Sequence, residues 1–262
     1  MNELFNLKDK VALVTGGSGI LGREFVKILR SAGAKVAVFE LQDGESDDDS
    51  VRYFKVDITD KKAITAALED IKKGWGVPHI LVNSAAIDAP PDYSNPIKSG
   101  LLESDEAERR FDKVMEVNVK GTLLCSQIIG NEMARSGRGS IINISSIYGE
   151  GSPDQRIYIK NDPSKSFIKP ISYCVSKGAI PNMSRYLAAY WAGKGVRVNT
   201  LTFGGVFNNQ DSEFVEKYCA KVPLGRMARK DEYNGALLFL ASDASSYMTG
   251  SNMVIDGGYT AW

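Results

Sequence analysis

The sequence predicts an α/β fold in one domain, a doubly wound parallel sheet of about seven strands with helices on both faces. Three observations carry that prediction. Short apolar runs of strand length recur along the 262 residues, separated by stretches of helical period. The first run, Val11-Ala-Leu-Val-Thr15, has the short apolar pattern of a buried strand. No repeat, low-complexity block or Pro/Gly linker divides the chain, and its length suits a single large core.

The elements follow in order. Residues 11–15 (VALVT) read as the first strand, followed by glycines at 16, 17, 19 and 22. A helical pattern then places Ile20, Leu21, Phe25, Val26, Ile28 and Leu29 on one side, and Ser31-Ala32-Gly33 stops it. Residues 35–39, 51–56, 79–83, 140–145, 196–201 and 252–256 read as six further strands. Helical patterns occupy 60–73, 104–136, 172–193 and 230–242. Such alternation implies parallel pairing through right-handed crossovers. Three stretches break the rhythm. The acidic residues 41–50 are too few for a crossover helix with its turns and read as a solvated connection. A Pro-rich loop at 88–100 and a polar insertion at 147–171 each follow a strand's carboxyl end, where sheets of this kind bind ligands.

Composition removes several classes of function. The 32 Lys and Arg balance 32 Asp and Glu, so no bulk field draws nucleic acid or an anionic membrane. A single histidine, His79, excludes chemistry or metal sites that need two imidazoles, and no metal is expected. Cys125, Cys174 and Cys219 are widely spaced and read as packing residues. No apolar run approaches the ~18 residues of a membrane span. The expectation is a cytoplasmic protein acting on a small molecule.

Thr15-Gly16-Gly17-Ser18-Gly19-Ile20-Leu21-Gly22 joins the first strand to the first helix and satisfies both G-x-G-x-x-G and G-x-x-G-x-x-G. Between a strand and a helix, such a loop lets a pyrophosphate approach backbone N–H groups at the positive end of the helix. Glu40 ends the next strand, 18 residues past Gly22. A carboxylate there accepts both hydroxyls of an adenosine ribose and repels a 2′-phosphate, and no Arg lies within the glycine loop or directly after Glu40. The expected cofactor is NAD, with NADP second. The bland alternative leaves Glu40 as a surface residue at a strand end.

Tyr173-Cys-Val-Ser-Lys177 sets a phenol and an ammonium one helical turn apart. A phenol titrates near ~10, and a fixed cation favours the phenolate a base requires. The spacing alone is unspecific, since Tyr190 and Lys194 repeat it. Context favours the first. With Val56-Asp57-Ile58-Thr59-Asp60, Leu81-Val-Asn-Ser-Ala-Ala86, Asn118-Val-Lys-Gly121, Ile142-Asn-Ile-Ser-Ser146, Val196-Arg-Val-Asn199 and Asp256-Gly-Gly258 in order, the chain resembles the short-chain dehydrogenase/reductase family from about Lys10 to Trp262.

That resemblance implies a Rossmann-type dinucleotide fold and a set of roles. Tyr173 would exchange a proton with the carbonyl or alcohol oxygen, and Ser146 would hydrogen-bond that oxygen. Lys177 would hold the nicotinamide ribose and depress the Tyr173 pKa, and Asn118 would hold a water linking Lys177 to solvent. Gly16, Ser18, Gly19 and Ile20 would meet the pyrophosphate and ribose, chiefly through the backbone. Asp57 and Ile58 would meet the adenine, Asn83 the adenosine ribose, and Val206 the carboxamide. The bland readings make Ser146 a helix cap, Asn118 a mid-helix polar defect, Tyr173 a partly buried aromatic and Val206 loop packing. The family also forms dimers and tetramers, and a homo-oligomer is expected.

The chain departs from the family where Ile20 replaces a glycine of the loop, where Ala86 replaces another, and where Tyr173 stands 27 positions after Ser146. The longer segment carries Gln155, Arg156 and Tyr158 and few large aliphatics, so it is expected to border a polar, sugar-like substrate. The expected reaction interconverts a secondary alcohol and a ketone. A 3-oxoacyl carrier-protein reductase and an NAD-dependent sugar epimerase or dehydratase are the competing enzymes, and a non-catalytic NAD-binding protein is the remaining alternative.

Overall fold

The structure, a computed structural model, describes residues 3–46, 48–88, 105–162 and 166–262. Seven parallel strands form one sheet in the order β3-β2-β1-β4-β5-β6-β7. They are β1 (Val11–Thr15), β2 (Lys35–Glu40), β3 (Val51–Lys55), β4 (Ile80–Asn83), β5 (Gly139–Ser146), β6 (Val196–Phe203) and β7 (Asn252–Ile255). The chain winds outward from β1 to one edge, returns through β4 and winds to the other. The switch between β1 and β4 therefore opens a crevice at the carboxyl ends of the strands.

Alternation along buried strands divides the apolar side chains between two cores. Ala12 and Val14 of β1 pack with Phe25 and Leu29 of α1 (Ile20–Ser31) and with Leu237 and Leu240 of α8 (Asn234–Ala241). Val11 and Leu13 face the other way. They join Leu68 of α2 (Lys61–Trp75), Ile129 and Met133 of α4 (Thr122–Arg135), and Leu187 of α6 (Ile171–Tyr190). The period of two in the strands thus supplies both helical layers from one sequence run.

The helical pattern over 104–136 is one long element with a defect. α3 (Asp105–Met115) passes through a π-helical segment, Glu116–Gly121, into α4. No helix joins β2 to β3 among the described residues, as the short connection predicted. The pattern at 230–242 yields a helix only from Asn234. Two helical pieces escaped sequence reading: α5 (Ile147–Glu150), directly after β5, and α7 (Ser212–Cys219). Both are short and lie in stretches dominated by polar residues.

The insertion builds a third core of its own. Ile157, Tyr158 and Phe167 pack with Ile147 and Tyr148 of α5, with Phe214 and Tyr218 of α7, and with Met227. Buried Lys160 closes this layer through an ion pair with Asp211, which also caps α7 by accepting the Phe214 N–H. The segment is thus anchored beyond the carboxyl end of β5. The Pro-rich stretch beyond Asp88 lies outside the described residues, as do residues 163–165 of the insertion.

Candidate functional site

The site begins with strand length. Thr15 of β1 stands level with Asn83 of β4, and Asn83 with Asn143 of β5, but β5 runs on to Ser146. Three more residues carry Ser146 about 10 Å past the end of β4. There its Oγ caps α5 by accepting the Tyr148 N–H at 3.2 Å and lies beside the Tyr173 hydroxyl, whose ionised form it favours. The cap reading and the site reading of Ser146 hold together.

Tyr173 sits in the first turn of α6, and Lys177 one turn later. Buried Lys177 donates from Nζ to the Ile144 carbonyl at 3.0 Å, while its own carbonyl accepts the Ser145 hydroxyl at 2.9 Å. α5 lies against this turn because residue 149 is glycine: a Cβ there would come within 2.6 Å of the Lys177 main chain. Tyr190 and Lys194 stand apart. Tyr190 is exposed near the end of α6, with the Lys194 ammonium over its ring at 5.3 Å.

Burial controls the acid–base character of the pair. It drives the Tyr173 phenol above its ordinary range; the charge of Asp88 adds to that, and the nearby Ser146 hydroxyl opposes it. Burial also lowers Lys177 to about 8, partly offset by Asp88. Desolvation disfavours the charged forms of both side chains.

Asn118 lies buried in the π-helical segment, where a widened turn is a frequent mark of a functional site. Its Oδ1 accepts the Ile87 N–H at 2.7 Å, and its Nδ2 donates to the Ile87 carbonyl at 3.0 Å and to Ser176 Oγ at 3.0 Å. The side chain thus fixes the loop after β4 to α6, three residues from Tyr173.

The glycine cradle has the shape a dinucleotide requires. Gly16 adopts φ +68°, and a Cβ on it would come within 2.8 Å of Ala85 Cα. A Cβ on Gly22 would collide with the Gly16 carbonyl, so α1 can start this close to the loop only with glycine there. Gly19 caps α1 without a side-chain hydrogen bond, and the first turn carries no acid, leaving helix-end donors to an anion. Ile20, the residue in place of a family glycine, begins that turn and is exposed. The Ala86 departure is also absorbed, since Thr15 Oγ1 accepts the N–H groups of Ser84 and Ala85 at 3.1 Å each.

Several expected contacts need correction. The Gly16 N–H already donates to the Phe39 carbonyl, and the Ser18 N–H to Glu40 Oε1 at 2.6 Å, so both amides shape the loop itself. Glu40 is thus the residue that pins the cradle to β2. An arginine does stand at the loop: Arg23 of α1 folds back to donate to the Ser18 carbonyl at 2.8 Å. Asn83 turns its side chain into a buried network, donating to Ser126 Oγ and Asn143 Oδ1, which leaves only its main chain for a ribose. Ile58 is buried against Gly121, whereas Asp57 is exposed and held ionised below the usual carboxylate range by the Thr59 N–H and hydroxyl. The Val206 carbonyl is taken by Gln210 Nε2 at 2.8 Å.

The three insertion residues expected at the substrate are each engaged by other groups of the protein. Arg156 is 87% exposed and forms a two-pronged pair with Asp154. Tyr158 is buried and shares a hydrogen bond of 2.7 Å with Tyr148. Gln155 clamps the main chain of Lys169 from both sides, accepting its N–H at 2.9 Å and donating to its carbonyl at 3.1 Å. The clamped residue is the one sequence reading missed. Lys169 reaches over the Tyr173 ring at 4.6 Å and pairs with Asp88. A signal existed in the lysine four residues before Tyr173, mirroring Lys177 four residues after it.

His79 is spent on structure. Its Nδ1 accepts the Val11 N–H at 3.1 Å, and burial with the charges of Arg138 and Lys10 pushes it down to about 4, so it is neutral. It lines a cavity of about 630 Å³ at the amino-terminal edge of the sheet, away from Ser146 and Tyr173. Among the described residues no group of His, Cys, Asp and Glu could hold a metal, and no helix is long and apolar enough to cross a membrane.

Known proteins align with nearly the whole chain. A family model described as enoyl-(acyl carrier protein) reductase matches residues 16–260. An NAD-dependent glycerol dehydrogenase of Listeria innocua is 34% identical, over 98% of this chain and 96% of its own. An L-tagatose-forming galactitol 2-dehydrogenase of Cereibacter sphaeroides is 35% identical, over 99% and 98%. A short-chain dehydrogenase of Leptospira borgpetersenii, solved with bound NAD+, superposes with a TM-score of 0.86 at 34% identity, covering 99% of this chain and 96% of that one.

Proposed function

The chain belongs to the short-chain dehydrogenase/reductase family, and from that premise we propose that it oxidises a secondary alcohol of a polyol or sugar-like substrate to the ketone, reversibly, with NAD. One observation carries the reading. Ser146, Tyr173 and Lys177 converge at the carboxyl end of β5, with the Ser146 hydroxyl beside that of Tyr173 and Lys177 held to the Ile144 carbonyl. The polyol-specific names of the relatives support the substrate class over a carrier-protein substrate.

The residues divide the work. The bound dinucleotide supplies the hydride acceptor. Tyr173 takes the hydroxyl proton onto its phenolate oxygen as the C–H bond breaks, and returns it in the reverse direction. Ser146 donates to the substrate oxygen and holds it against Tyr173. Lys177 holds the nicotinamide ribose hydroxyls, and Asn118 steadies the relay from Lys177 to solvent through its grip on the Ile87 loop. At the other end, the first turn of α1 from Gly19 and Ile20 meets the pyrophosphate, Glu40 the adenosine ribose, and Asp57 the adenine edge. The main chains of Gly16, Asn83 and Val206 complete the cofactor groove. Because burial holds the Tyr173 proton tightly, alcohol oxidation is favoured by alkaline conditions.

We assign residues 1–262 to a single dinucleotide-binding domain, with 147–171 as a fixed wall of the substrate pocket. Its own apolar core argues for a wall over a loose lid. We further assign a homo-oligomer, dimer or tetramer. The exposed stack of Tyr186 on Tyr190 at 6.3 Å and the exposed Trp262 support it. The three free cysteines suit the cytoplasm. The direct test follows NADH formation across glycerol, threitol, galactitol and 3-hydroxyacyl thioesters. Turnover of the polyols supports the reading, and turnover confined to the thioesters overturns it.

A further inference from the structure

Two charged side chains meet beside Tyr173 that the reaction itself does not require. Lys169 Nζ lies 2.5 Å from Asp88 Oδ1 and 4.6 Å from the centre of the Tyr173 ring. The lysine side chain is 6% exposed, the aspartate 48%. They come from different walls: Asp88 from the loop after β4, Lys169 from the end of the insertion. Each is fixed from behind. Asn118 holds Ile87, next to Asp88, through both main-chain groups, and Gln155 holds Lys169 in the same way.

Such a pair is poorly explained as a fold stabiliser. Desolvating two charges costs about what their attraction returns, and an apolar pair packs as well. What the pair does provide is a donor and an acceptor side by side, with the ammonium 4.6 Å from the centre of the Tyr173 ring. The hydroxyls flanking the reacting carbon of a polyol both donate and accept, and match an ammonium beside a carboxylate. An alcohol without flanking hydroxyls forgoes these added hydrogen bonds, so a site built this way favours the polyol.

We propose that the Asp88–Lys169 ion pair is the specificity element of this site, selecting substrates whose reacting carbon is flanked by hydroxyls. The proposal rests on the polyol reading above and names the residues that enforce it. The pair acts on substrate choice and leaves proton transfer to Tyr173.

The test compares kcat/KM for galactitol and for cyclohexanol, both with saturating NAD, in the wild type and in Asp88→Asn, Lys169→Met and Lys169→Arg. The ratio of galactitol to cyclohexanol is expected to fall about tenfold or more in the Asn and Met variants, chiefly through the KM for galactitol. Lys169→Arg, which keeps the charge, should retain most of the ratio. Asp88→Asn sits at the exposed end of the pair and reads the same property if Lys169→Met folds poorly. An unchanged ratio, with both substrates slowed alike, overturns the inference and leaves the polyol function standing. A wild type that binds NAD but oxidises none of galactitol, glycerol, threitol and cyclohexanol overturns the proposed function and this inference with it.

Discussion

The Lys177 ammonium donates to the Ile144 carbonyl at 3.0 Å, binding the catalytic turn of α6 to the strand that carries Ser146. This bond places a cation in a desolvated position, and its cost shows in the lowering of Lys177 to about 8.

A stability prediction comes from that cost. The folded-state pKa lies below the unfolded value of roughly 10.4, so the unfolded chain holds more protons between the two. The penalty is then complete below about 8 and is relieved as pH rises towards the unfolded value. The gap in unfolding free energy between wild type and Lys177→Met should therefore shift in favour of wild type from pH 8 to pH 10, as measured by urea denaturation. An unchanged gap would mean that Lys177 is not buried as a cation.

Tyr173→Phe removes the proton acceptor but keeps the ring. Turnover should fall at least about a thousandfold, while NAD affinity followed by fluorescence stays within about threefold. In the wild type, alcohol oxidation should climb toward alkaline pH, because burial raises the phenol. Retained turnover in the Phe variant would remove Tyr173 as acid/base.

Glu40→Ala acts twice. It removes the carboxylate proposed to receive the ribose hydroxyls, and it frees the Ser18 N–H that Glu40 holds. With Arg23 still at the loop, the preference for NAD over NADP should shrink by about tenfold, and NAD affinity itself should drop. A wild type that already prefers NADP would defeat the Glu40 reading outright.

Tyr158→Phe tests the correction to the insertion. The substitution keeps the packing against Phe167 and Phe214 but deletes the hydrogen bond to Tyr148. Stability should fall by about 1 kcal/mol in urea titrations, with the substrate KM unaltered. A large KM effect with full stability would return Tyr158 to the substrate.

Much of this protein was legible in its residues because it rests on short-range rules. Glycine spacing between a strand and a helix specifies the cradle, the Tyr173–Lys177 interval specifies one helical turn, and apolar strand runs specify a covered parallel sheet. The acid at Glu40 was legible for the same reason, since it closes the strand that follows. The choice between Tyr173 and Tyr190 was legible only in part, through the surrounding motifs; exposure decides it in the structure.

What the sequence left open depends on groups distant along the chain. Whether Asn83 offers its side chain or only its backbone depends on Ser126 and Asn143, 43 and 60 residues away. Whether the insertion presents Arg156 or Lys169 depends on Asp154, Gln155 and a core shared with α7. The sequence by itself determined the sheet, the cradle and the placing of Tyr173 and Lys177 one helical turn apart. Tertiary structure alone decided which polar side chains are consumed by the protein and which reach the pocket. The reason is physical: a buried polar group must find its partner wherever the fold brings one, and local spacing carries no record of that search.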